Sequence, residues 1–236
     1  MNKLNSSDIN GLLLIDKPAK WTSHDVVAKL RNHFNLKKVG HAGTLDPMAT
    51  GLLILLIGKM TKLSSFIMNE DKIYDGSILL GKKTNTQDIE GEITKIGNPN
   101  NVTQEIIEKM IKPFNGKIMQ IPPMVSAIKK DGVPLYKLAR KGIEINRVPR
   151  EVNIKKFIIH SYDNYEVKFT VECSKGTYIR TLANDLGDNI GCYACLSSLR
   201  RIASGKFNII NSYSLDDVLK LDKNDFKNTL INYEKN

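Results

Sequence analysis

Asp46 stands in the run Gly40-His41-Ala42-Gly43-Thr44-Leu45-Asp46-Pro47-Met48-Ala49-Thr50-Gly51, and its carboxylate is the first candidate for chemistry. The glycines permit tight turns and close approach of backbone to a ligand. Pro47 confines the residues before it to turn or extended geometry, so the carboxylate is presented from a fixed loop, not from a helix face. His41, five residues earlier, adds a ring that can stack, hydrogen-bond or carry charge. On local physics alone an Asp before Pro is a turn former, and the spacing does not overturn that reading. Cys192 and Cys195 form a Cys-x-x-Cys with no second pair, so they read as small buried hydrophobes and no metal site is expected.

The elements that must position these residues read as an α+β protein, since strands and helices do not alternate regularly enough for a doubly wound sheet. Residues 1–10 are polar and predicted disordered. Residues 11–15 read as a buried strand stopped by Asp16-Lys17-Pro18. Thr22 and Asp25 have capping-box spacing ahead of a helix whose apolar face is Val26, Val27, Leu30 and Phe34. A loop is expected over 39–51, strands over 52–57 and 74–81, and a helix over 103–112. Val167, Phe169, Val171 and Cys173 alternate with polar residues, the period of a half-exposed strand, and 178–186 reads as a helix. Residues 214–236 offer two short amphipathic helices. Between 120 and 150, prolines and glycines interrupt the pattern around Lys129, Lys130, Lys137, Arg140, Lys141, Arg147 and Arg150. That stretch is an inserted basic arm or a solvated connector.

Composition bounds the function. The 236 residues carry 35 Lys and Arg against 25 Asp and Glu, a formal charge of +10. A field of that sign concentrates polyanions, of which nucleic acid is the commonest, although charge alone does not decide the partner. The start lacks the apolar stretch of a signal peptide, and the longest apolar run is too short to cross a bilayer. Three cysteines suit a reducing compartment. A cytoplasmic protein with no membrane partner is expected.

The run from Gly40 to Gly51 resembles the signature of the TruB family, the bacterial tRNA pseudouridine-55 synthases. Four further segments resemble that family in order: Gly11 to Pro18 with Thr22-Ser23, Lys72-Ile73-Tyr74 with Leu80-Gly81, Ile121 to Ala127 with Gly132 to Tyr136, and Cys173 to Gly187. Together they span roughly residues 11–207. The resemblance implies a pseudouridine synthase fold, a mixed, mainly antiparallel sheet flanked by helices and loops, with a basic thumb-like arm inserted at about 120–150. It implies isomerisation of uridine 55 in the T-arm of tRNA, with the base detached, turned and rejoined to the ribose through carbon. On this reading Asp46 is the nucleophile, suited to adding to the base or attacking the sugar, and no cofactor or metal is needed. Arg180 would pair with Asp46 and keep it ionised. Tyr74 would stack on the target base and relay a proton, and Tyr178 and Leu199 would line the uracil pocket. His41 would help hold the nucleotide out of the stack, since a stacked base cannot reach Asp46. Lys17 would order the loop or meet phosphate, with a solvated lysine as the alternative. Lys129, Lys130, Arg140 and Lys141 would grip the RNA backbone.

Members of the family usually continue into a small β-rich RNA-binding module, the PUA domain, and only about thirty residues follow Phe207 here. The expected organisation is therefore a catalytic domain over 11–212 and a short helical tail over 213–236, with affinity leaning on the arm and general charge. A monomer without an obligatory protein partner is expected. Two alternatives remain at this point: a guide-RNA-directed pseudouridine synthase, and an RNA-binding or RNA-folding protein.

Overall fold

In the computed structural model, which describes residues 9–233, most elements follow from local sequence. The first strand, β1 (Gly11–Lys17), runs two residues past its aliphatic stretch because Asp16 and Lys17 still pair across the sheet. The capping box is present: the Thr22 hydroxyl accepts from the Asp25 amide, and the Asp25 carboxylate accepts from the Thr22 amide. It starts α1 (Ser23–His33), which buries Val26, Val27 and Leu30. Next come β2 (Val39–Ala42) and β3 (Thr50–Ile57), so the loop expected over 39–51 shrinks to 43–49. Antiparallel pairing of Val39 to Ala42 with Ile57 to Ile54 makes the difference, a long-range term that periodicity does not carry. After a 3-10 turn follow α2 (Ser64–Met68), β4 (Lys72–Leu80), β5 (Lys82–Thr84) and β6 (Ile93–Ile96). Thr103 caps α3 (Gln104–Ile111), which ends before Pro113 as expected.

The stretch read as an arm contains β7 (Gly116–Gln120) at its entrance, then β8 (Lys129–Lys130), β9 (Val133–Pro134) and α4 (Leu135–Ala139). Two long strands follow, β10 (Arg150–Asp163) and β11 (Glu166–Cys173). Only the second was legible, and its Val167, Phe169, Val171 and Cys173 are all buried. The chain continues with α5 (Ile179–Ile190), β12 (Ala194–Ser204), β13 (Phe207–Asn208) and β14 (Tyr213–Ser214). It closes with α6 (Leu215–Lys220) and α7 (Lys223–Asn228), the two short helices expected there.

The result is a mixed, mainly antiparallel sheet with flanking helices, divided into two compact units. One comprises the residues up to Tyr74 and from Arg200 onward; the other is Asp75–Leu199. Strands β4 and β12 each run across that division. In the first unit the strand order is β14-β1-β3 and then the end of β12, with β2 also on β3. Leu12, Leu14, Leu52, Ile54, Leu56, Ile67 and Phe207 form its core. Phe34, just past α1, stacks on Phe226 of α7 at 3.8 Å between ring centroids. Ile9 is buried and the Asn10 side chain accepts from the Lys59 amide, so these two residues are not disordered. The rest of that expectation, residues 1–8, lies outside the described residues. In the second unit the order is β4-β11-β10-β7, and Phe114, Phe157 and Phe169 pack edge to face beneath it. Among the described residues no helix is long and apolar enough to cross a membrane.

Candidate active site

Asp46 lies at the middle of the 43–49 loop, half-buried between Leu45 and the exposed Pro47. Leu45 and Ala49 point inward at 3% and 0% exposure and root the loop on either side of the carboxylate. Ser23, buried at the start of α1, braces it: its hydroxyl accepts from the Leu45 amide at 2.9 Å and donates to the Leu45 carbonyl at 3.3 Å. The Ala49 amide donates to the Asp46 carbonyl, and the Lys20 amide donates to the Pro47 carbonyl.

Two buried cations lie under this loop. Lys17 is fully buried, and its ammonium donates to the carbonyls of Pro18, Trp21 and Pro47 at 2.9, 2.6 and 3.3 Å. Its burial contradicts the solvated-lysine alternative. Arg201 is 1% exposed; its Nε donates to the Leu52 carbonyl at 2.7 Å and an Nη to the Gly43 carbonyl at 3.0 Å. Both cations sit on one rung of the sheet: Lys17 pairs with Gly51 from β1, and Arg201 pairs with Gly51 from β12. Gly51 must be glycine, because a Cβ there would run into the Arg201 backbone. Gly43 has φ of +88°, and a Cβ would come within 3.2 Å of the Arg201 guanidinium. The loop thus starts and ends against one arginine, which the sequence reading missed. The available signal was weak: adjacent Arg200 and Arg201 in a strand must face opposite ways. Arg200 turns to Asp16 instead, in a two-pronged pair at 2.6 and 3.1 Å.

His41, on β2, is half-buried, and its Nδ1 is buried with no hydrogen-bond partner among the described residues. Burial, then the charge of Arg201, lower its pKa below the ordinary histidine value, which favours the neutral ring. Tyr74, on β4, is 9% exposed.

The remaining candidates belong to the second unit. Arg180, in the first turn of α5, is not a surface arginine: it is 3% exposed. It donates to the carbonyls of Thr86 and Val125 at 2.7 Å each, and the Asp88 carboxylate stands 3.7 Å away. Tyr178, half-buried, caps the same helix. Its peptide is clamped by Gln120, a further residue the sequence reading missed. That buried amide donates to the Tyr178 carbonyl at 3.0 Å and accepts from the Tyr178 amide at 2.8 Å. Leu199 is 9% exposed on β12.

Lys129 and Lys130 are exposed on the β8–β9 hairpin, whose turn places Asp131 and Gly132 at positive φ. Arg140 and Lys141 follow α4, also exposed, with Arg140 over the Tyr136 ring at 5.4 Å. The arm borders a cleft of about 540 Å³ whose lining includes Lys83, Gln87, Met124, Arg147 and Asn184. There the Arg147 Nε and Asn184 Oδ1 are buried without a partner among the described residues.

Cys192 and Cys195 are buried and free, and burial raises the Cys195 thiol to about 11, consistent with inert packing groups. Among the described residues no set of three or more His, Cys, Asp or Glu side chains is placed to hold a metal.

With this geometry in hand, comparison with known proteins is direct. Residues 31–179 match the model of the TruB family pseudouridylate synthase N-terminal domain. Residues 180–232 match the tRNA pseudouridylate synthase B C-terminal domain. A protein of Opitutus terrae named tRNA pseudouridine synthase B is 47% identical over 95% of this chain and 93% of its own length. A protein of the same name from Endomicrobium trichonymphae is 48% identical over 92% and 94%. Among solved structures, a Cbf5-Nop10-Gar1 complex contains a chain 28% identical to this one at a TM-score of 0.74. The match covers 93% of this chain and 59% of that one. The chain described here belongs to the TruB family of pseudouridylate synthases.

Proposed function

We propose that this protein converts uridine 55 in the T-arm loop of tRNA to pseudouridine, with Asp46 as the nucleophile. The relatives named tRNA pseudouridine synthase B support the substrate class. The observation that carries the mechanism is the construction of the Asp46 loop. Its backbone carbonyls are held by Lys17 and Arg201 and its amide at Leu45 by Ser23, and Asp46 itself is half-buried at the middle of the loop. A nucleophile gains most from being held in place before the substrate arrives, because misplacement by about 1 Å can cost a hundredfold.

In this scheme the target nucleotide is first extruded, at a cost of a few kcal/mol, because a stacked base is out of reach. His41, its ring held toward the neutral form and its Nδ1 without a hydrogen-bond partner among the described residues, helps hold it there. Asp46 then attacks base or sugar, the bond from ribose to nitrogen breaks, the base turns, the bond from ribose to carbon forms, and the bond to Asp46 breaks to return the free carboxylate. Arg180 keeps the carboxylate ionised, and Tyr74 stacks on the base and relays the proton lost from its carbon. Tyr178 and Leu199 line the pocket, and Lys129, Lys130, Arg140 and Lys141 hold backbone phosphates. No metal or organic cofactor takes part, and the protein works as a cytoplasmic monomer.

Incubation with an unmodified tRNA transcript, followed by position-by-position mapping of pseudouridine, tests the proposal; product at any site other than 55 alone would sink it. The guide-directed reading draws on the 28% identical chain of the Cbf5-Nop10-Gar1 complex, against 47–48% identity to the tRNA enzymes. Product formed without any added guide RNA decides against it.

A further inference from the structure

Trp21, the single tryptophan of the chain, stands beside the Asp46 loop in the first unit. Its carbonyl and that of Pro47 accept from the same buried Lys17 ammonium, at 2.6 and 3.3 Å. The Lys20 amide donates to the Pro47 carbonyl at 2.8 Å, and Lys20 holds φ of +67°, a left-handed conformation uncommon outside glycine. The turn over 18–21 is therefore fixed against the loop that carries the proposed nucleophile. Pro18, Ala19 and Lys20 are exposed and Trp21 is half-buried. The indole N–H has no hydrogen-bond partner among the described residues. Trp21 also precedes the Thr22 cap, a position from which an apolar side chain often packs on the fourth residue of the helix, here Val26. That staple needs any apolar group and gives no reason for an indole. His24, three residues on and exposed, is close enough to His41 for its charge to add, after burial and Arg201, to the lowering of the His41 pKa. The start of α1 thus lies near the residue proposed to hold the extruded nucleotide.

We propose that Trp21 is a stacking platform for the base next to the target uridine; the proposal rests on RNA being the substrate. Single-stranded RNA loops are recognised through splayed bases stacked on aromatic side chains. Extruding one uridine toward Asp46 leaves the base beside it without a stacking neighbour, and an indole fixed beside the loop replaces that contact. Every base has a π-face, so the platform contributes affinity and placement without selecting a particular base.

The test follows tryptophan emission, which comes from Trp21 alone, as an unmodified T-arm hairpin RNA is added to the full chain. Stacking on a base is expected to quench that emission in step with binding, which is measured separately by anisotropy of a labelled hairpin. Trp21→Leu keeps an apolar side chain for the staple but no ring, and is expected to bind about 5- to 150-fold more weakly than wild type. Trp21→Phe is expected to recover most of that loss, with melting temperatures of the two variants alike. A hairpin made abasic on the stacking side of the target is expected to leave emission unquenched and to bind wild type and Trp21→Leu equally. One made abasic on the other side should preserve the difference. Emission unchanged by bound RNA, equal binding by the Leu and Phe variants, or a wild-type advantage over Trp21→Leu that survives both abasic substitutions overturns the proposal. Pseudouridine mapping on wild type keeps the two readings apart. Product without quenching removes the platform alone, whereas base-dependent quenching without product removes the proposed reaction alone.

Discussion

At Arg201 a full positive charge is buried and held by the carbonyls of Gly43 and Leu52, the residues flanking the Asp46 loop. Arg201→Met leaves both carbonyls without that donor, and a denaturant titration should show a loss of about 2–5 kcal/mol. Arg201→Lys keeps the charge but not the fork that spans two acceptors, so it should recover only part of the stability. At Asp46 the expectation is of a different kind. Asp46→Asn should reduce pseudouridine formation to background while tRNA binding persists; undiminished product would remove Asp46 from the chemistry. His41 carries a pH signature. Its pKa is lowered in the folded protein, so the unfolded chain binds the extra proton first as pH falls. That contribution to stability is whole above about 6.5, the unfolded value, and is lost as pH drops toward the lower folded value. Melting temperatures of wild type and His41→Asn, measured from neutral pH downward, should therefore converge as the medium becomes more acidic.

At the scale of elements, α5 is set by what precedes it. Gln120, at the end of β7, clamps the Tyr178 peptide, and Arg180 two residues on is anchored to the carbonyls of Thr86 and Val125. Gln120→Ala strands one amide and one carbonyl, at about 1–3 kcal/mol each, and should lower kcat/KM by misplacing Tyr178. If stability falls and kcat/KM does not, Tyr178 has no part in the pocket. The arm is an element of another sort, since its four proposed phosphate ligands are exposed and contribute little to packing. Replacing Lys129, Lys130, Arg140 and Lys141 with alanine should weaken binding to any RNA alike and leave the melting temperature within about 1 °C. A sequence-dependent loss would show that the arm reads bases.

For the whole molecule the governing quantity is a net charge of +10 on 236 residues, part of it displayed on the exposed lysines and arginine of the arm. Association with tRNA should be fast at low salt, and affinity should fall steeply with ionic strength, by several decades if six or more phosphates are engaged. A shallow dependence would mean that shape and stacking contacts dominate over charge.

The sequence by itself determined the local terms. The Thr22 cap, the buried face of α1, the alternation in β11 and the end of α3 before Pro113 all depend on near neighbours, and all were legible. The motif around Asp46 identified the family, although spacing alone would have left Asp46 a turn residue. Tertiary structure decided the long-range terms. Strand β10 was not legible because its fourteen residues are defined by partners on both sides, β7 and β11. The 43–49 loop became short because β2 found β3. Lys17 and Arg201 came to flank Gly51 although 184 residues separate them in the chain, and no local pattern shows that two cations will be buried to hold carbonyls. A buried charge is tolerated only where acceptors already wait for it, and where those acceptors stand is a property of the folded sheet.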